Sequence, residues 1–121
     1  MEIENLEIYK ISISIGDKVW DIVSSWKYFE KDTIGKQLTR SADSISANIS
    51  EGFGRFHYKD SKLFLYYARG SLFETKTWLS KAENRNLITP IQYKELDNQM
   101  NTLGIKLNNF INSIGTTKPP K

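Results

Sequence analysis

The sequence predicts an all-α protein, an antiparallel up-down-up-down bundle of four helices. Three observations predict it. Apolar residues recur at steps of three and four over four long stretches, the period of one helix face. Proline is confined to Pro90, Pro119 and Pro120, so nothing before Pro90 forbids a long helix. Three short connections join the four stretches, which makes sequence neighbours run antiparallel. A chain of 121 residues is expected to form one domain, here the bundle at 1–115 with a flexible tail at 116–121.

The first helix is expected from about Leu6 to Phe29. Ile8, Ile11, Ile15, Val19, Ile22, Trp26 and Phe29 lie on one face. The run Ile11-Ser12-Ile13-Ser14-Ile15 also alternates as a strand would, but the three-four stepping continues well past Gly16. The second helix is expected from about Ile34 to Glu51, with Leu38, Ala42, Ile45 and Ile49 on its face and Asp32 or Thr33 as its cap. The run Glu51-Gly52-Phe53-Gly54 ends it, glycine being the residue that takes the left-handed conformation there.

The third helix is expected from about Tyr58 to Asn84. Phe64 and Trp78 match the core period, while Tyr66 and Phe73 lie on another face. A helix apolar on two faces contacts more than its own bundle, which favours a homo-oligomer over base stacking. Ala68, Gly70 and Ser71 interrupt its bulky residues. A mid-helix glycine costs about 1 kcal/mol relative to alanine, and close approach by another helix is the expected compensation. The fourth helix is expected from about Pro90 to Ile114. Thr89, Pro90 and Gln92 match a capping box with proline at the first helical position. Tyr93, Leu96, Met100, Leu103, Leu107, Phe110 and Ile114 then form a sustained heptad seam.

The composition narrows the chemistry. With no cysteine, disulfides, thiolate nucleophiles and cysteine-based zinc sites are excluded. The single histidine, His57, has Gly54 three residues before it, so no Glu-x-x-His metal pair exists. Gly52 and Gly54 follow a helix and lack the third glycine of a dinucleotide loop. Asp17 and Asp21 are one helical turn apart, the ordinary spacing of a solvated face. No catalytic residue, metal or cofactor is expected. The N-terminus carries Glu2 and Glu4 where a signal peptide carries basic residues, and no apolar run is long enough to span a bilayer. A cytoplasmic protein without membrane contact is expected.

The net charge of +3 is unevenly spread: residues 1–31 carry −2, residues 32–69 carry +2 and residues 70–121 carry +3. A one-sided field follows. Lys36, Arg40, Arg55, Lys59, Lys62 and Arg69 are candidates for phosphate contacts, several of them around the end of the second helix and the start of the third. An ordinary charged surface is the alternative. Asn48, Glu51 and Arg55 crowd the same turn. Structurally, Glu51 pairs with Arg55 or caps the third helix, and Asn48 serves backbone groups where the chain reverses. Functionally, the cluster is a subunit contact or a ligand contact. Helix ends need partners for their free carbonyls, which favours the structural reading.

The run Gly35 to Arg55, with Gln37, Arg40, Ser44-Ile45, Asn48-Ile49, Glu51-Gly52 and Gly54-Arg55, is followed by Ala68, Gly70-Ser71 and Glu74. This pattern resembles the bacterial four-helix-bundle family of the 23S rRNA intervening-sequence proteins. That family also contains the accessory variability determinant of diversity-generating retroelements. The resemblance spans about residues 5 to 114. It implies a ring-like homopentamer with no known catalytic residue, and it makes Asn48, Glu51, Gly52, Gly70 and Ser71 signature or assembly residues. In the retroelement branch it implies binding to RNA or DNA and a reverse transcriptase partner. The expected function is a non-enzymatic, nucleic-acid-associated or accessory scaffold. The alternative is a protein-interaction scaffold that binds no nucleic acid.

Overall fold

The computed structural model describes residues 1–115, so the tail expected at 116–121 lies outside the described residues. A short 3-10 turn, Ile3–Asn5, leads into α1 (Glu7–Ser24). One helical turn, α2 (Tyr28–Glu30), runs through a π-helical segment (Lys31–Gly35) into α3 (Lys36–Phe53). Two further helices follow, α4 (Tyr58–Asn84) and α5 (Pro90–Ser113). The described residues contain no strand. In cross-section α1 packs on α3 and α5, and α4 packs on α3 and α5. The result is an all-α bundle of four long helices.

On α1, α3 and α5 its core is built from the faces that the apolar stepping marks out. Ile8, Ile15, Val19 and Val23 of α1 are buried with Leu38, Ala42, Ile45 and Ile49 of α3. Leu65, Ala68, Leu72 and Leu79 of α4 meet Leu96, Met100, Leu103, Leu107 and Ile111 of α5. One polar layer interrupts the apolar packing. Thr75 Oγ1 lies 3.0 Å from Ser41 Oγ and 2.7 Å from the Ser71 carbonyl, which satisfies both buried hydroxyls.

Several boundaries differ from the expectation. The first helix ends at Ser24, not Phe29. The hydroxyls of Ser24 and Ser25 donate to the carbonyls of Asp21 and Ile22, local bonds that compete with helix continuation, and Lys27 is extended at ψ 163°. Phe29 therefore belongs to the next helix and is exposed, while Trp26 packs on the core from the connection. The second long helix starts at Tyr28, so neither Asp32 nor Thr33 caps it. Thr33 lies inside the π-helical segment, where its hydroxyl donates to the Phe29 carbonyl at 2.7 Å.

Gly54 closes α3 at φ −82°, a right-handed conformation rather than the left-handed one expected. Phe64 is half-buried outside the core, because the core period on α4 is carried by Leu65, Ala68, Leu72 and Leu79. On α5 the buried residue of the last turn is Ile111, with Phe110 and Ile114 partly covered beside it. The start of α5 follows its capping box closely. The Gln92 N–H donates to Thr89 Oγ1 at 3.1 Å, and the Thr89 N–H donates to Gln92 Oε1 at 3.0 Å.

Candidate functional site

The turn from α3 to α4 gathers the polar residues that stand out in the sequence. Gly52 is buried against α4, and a Cβ built on it would stand 3.0 Å from the Ser61 carbonyl oxygen and 3.1 Å from Leu65 Cγ. Glycine lets the two helices come this close without displacing either neighbour. Ser61 Oγ donates to the Gly52 carbonyl, which gives one of the last-turn carbonyls a partner. Arg55 Nη2 pairs with Glu51 Oε1 at 2.8 Å, and its guanidinium lies 4.4 Å from the centroid of the Phe64 ring. Asn48 Nδ2 donates to the Ser44 carbonyl at 3.0 Å, within its own helix rather than at the reversal.

Beyond this knot the surface is aromatic and basic. Phe56 is 91% exposed, with the His57 ring edge-on at 5.0 Å. Lys59 is exposed and Lys62 half-exposed, and neither has an ion pair among the described residues. Arg69, by contrast, is held by Asn108 Oδ1 at 3.0 Å and by the Tyr66 ring at 4.9 Å.

The basic candidates do not form one cluster. Arg40 and Arg55 are separated by fifteen residues of helix, about 22 Å at 1.5 Å per residue. Lys36 and Arg40 instead line a groove of about 350 Å³ between α1 and the start of α3. Trp20, Val23, Lys31 and Gly35 line it with them. Lys36 faces Asp32 across 3.5 Å, whereas Arg40 has no ion pair among the described residues. Sequence reasoning missed Trp20 and Lys31. The available signal was that Trp20 falls beside, not on, the apolar face carrying Val19 and Val23, so a large ring was left without a place in the core.

Gly70 and Ser71 lie apart from both regions. A Cβ on Gly70 would meet nothing within 4 Å, so the close approach expected at this glycine is not made within the chain. Exposed Leu63, Tyr66, Tyr67 and Phe73 surround it on the outer face of α4. Among the described residues no three metal-ligating side chains converge.

These features meet in the comparison with known proteins. The profile of the 23S rRNA-intervening sequence protein family matches residues 4–109. The chain belongs to that family. The match takes in the whole α3–α4 turn, both basic regions and Gly70. A crystal structure of a protein of unknown function from the S23 ribosomal protein family of Bacteroides thetaiotaomicron shares the fold, with a TM-score of 0.79 and 23% identity. The alignment covers 88% of this chain and 99% of that one. Comparison with curated proteins gives no match. For this intervening-sequence family protein no helix among the described residues is long and apolar enough to cross a membrane.

Proposed function

We propose that the chain is a non-enzymatic, cytoplasmic, homo-oligomeric scaffold that associates with nucleic acid. Its bundle is up-down-up-down. Cross-helix pairs support that sense, because Glu7 pairs with Lys106 while Lys18 pairs with Glu95: numbers rise on α1 as they fall on α5. The observation that carries oligomerisation is the outer face of α4. Leu63, Tyr66, Tyr67 and Phe73 are exposed around an open Gly70, and a contiguous aromatic patch of this kind on a water-facing helix marks an interface. Family membership favours a ring-like homopentamer, with Asn48, Glu51, Gly52, Gly70 and Ser71 as assembly residues.

Phosphate contacts come from Arg40, Lys59 and Lys62, which no carboxylate pairs with among the described residues, with Lys36 and Arg55 as weaker contributors because each faces an acid one turn away. The test is fluorescence anisotropy of a labelled structured RNA at low and physiological salt. Wild type binds with a steep salt dependence. Replacing Lys59 and Lys62 by Ala weakens binding and flattens the salt slope by roughly one unit per lost contact. Absence of binding at low salt leaves a scaffold for a protein partner. Light scattering of the same samples reads the oligomer separately.

A further inference from the structure

Its charges distinguish the groove between α1 and α3 from two other hollows of the surface. The hollow beside Leu6 and Phe110 contains Lys106, but that ammonium pairs with Glu7 at 2.9 Å. The hollow beside Ile22 and Ile91 contains Lys18, which pairs with Glu95 at 2.9 Å. The α1–α3 groove is lined by three cations, Lys31, Lys36 and Arg40, and by no carboxylate; among the described residues the one ion pair these cations make is the long one from Lys36 to Asp32, 3.5 Å.

The floor is apolar, from Val23 and the Gly35 backbone. Gly35 is packed so tightly that a Cβ would stand 2.8 Å from Val23 Cγ1 and 3.2 Å from the Trp26 ring. The floor is therefore closely packed, with the π-helical segment Lys31–Gly35 along it. Short π-helical segments inside α-helices occur frequently at functional sites. Along one wall stands Trp20, 61% exposed, a large apolar ring on the surface with no aromatic partner among the described residues. Thr39 adds a hydroxyl, and Ser24, whose proton goes to the Asp21 carbonyl at 2.8 Å, offers lone pairs.

A flat aromatic wall, a closely packed apolar floor and a surplus of cations in the lining suit a ligand that is planar at one end and multiply anionic at the other. We propose that this groove binds a nucleoside phosphate, its base stacked on Trp20 and its phosphate held by Arg40 and Lys31. Base stacking on an aromatic side chain tolerates every base, and a guanidinium matches phosphate oxygens two at a time. The groove volume, about 350 Å³, is at the lower end of what small-ligand sites occupy. The proposal stands apart from the scaffold reading, since a chain that binds no structured RNA still binds the nucleotide.

The test is calorimetric titration of the full chain with adenosine 5′-monophosphate, adenosine and inorganic phosphate, with the three indole N–H signals followed by NMR. The nucleotide is expected to bind and to shift the Trp20 indole, with adenosine and phosphate each at least tenfold weaker. Trp20→Ala and Arg40→Ala are each expected to lose at least tenfold in affinity, while Lys94→Ala, an exposed change on α5, keeps it. The phosphate can come from a free nucleotide or from the end of a strand. Competition by 5′-phosphorylated oligoadenylate, but not by its unphosphorylated form, selects the strand end. Failure of both oligonucleotides to compete selects the free nucleotide. No binding at millimolar nucleotide overturns the proposal, as does binding that Arg40→Ala leaves unchanged. So does a Trp20→Ala chain that falls to monomer while the wild type ignores the nucleotide, since a second copy then covers the groove.

Discussion

The Ser61 hydroxyl donates to the carbonyl of Gly52, joining the first turn of α4 to the last turn of α3. Gly52→Ala places a methyl group 3.0 Å from the Ser61 carbonyl and 3.1 Å from Leu65 Cγ. Backbone on one side and a buried leucine on the other leave little room to yield. A loss of about 1–3 kcal/mol is expected from overpacking, more than the gain alanine brings to a helix interior. Ser61→Ala removes only the bond and is expected to cost about 1 kcal/mol. Urea unfolding midpoints rank the two.

Gly70 should behave in the opposite way. Open space surrounds it, so Gly70→Gln is expected to keep the helical circular dichroism signal and to add up to about 1 kcal/mol of helix stability. If α4 carries the subunit contact, the same change lowers the assembly mass in light scattering. A destabilised variant of unchanged mass would remove Gly70 from the interface.

Burial against α1 and, second, the Asp17 carboxylate hold the Asp43 carboxyl above the ordinary carboxylate range. A carboxyl whose pKa is raised by folding favours the folded state below its unfolded pKa and loses that contribution as pH rises through the folded value. Asp43→Asn is therefore expected to stabilise the protein at neutral pH, by well under about 1 kcal/mol because the carboxyl is only partly buried and solvent screens its open side. The difference from wild type vanishes in acid. Thermal unfolding at neutral pH and at the acid end of the carboxylate range measures it.

The capping box of α5 predicts that Thr89→Ala costs about 1 kcal/mol. Both reciprocal bonds pass through Thr89 and Gln92, so Gln92→Ala removes one of them and is expected to cost less. Chemical unfolding of the two variants gives the order.

How much of this was legible in the sequence depends on the range of the interactions. The limits of α4 and the start of α5 follow from neighbours within one turn: Thr89 finds Gln92 three residues away whatever the rest of the chain does. The Glu51–Arg55 pair is legible for the same reason. The start of the second long helix was not. An apolar face read from Leu38 onward cannot register that Tyr28–Glu30 continues into a wide turn, because that turn is held against Val23 and Trp26 of the preceding segment. Phe64 was misplaced by one position, since aromatic bulk suggested a core that the smaller Leu65 and Ala68 fill.

By itself the sequence determined the helical class, the core faces of α1, α3 and α5 and the family signature, all properties of spacing along one chain. Tertiary structure alone decided which cations act together. It separated Arg40 from Arg55 along a rigid helix and brought Arg40 beside Trp20 and Lys31 from other elements. It also left Gly70 facing open space. Such juxtapositions depend on how helices dock, and docking is set by packing between residues far apart in the chain, which no local period records.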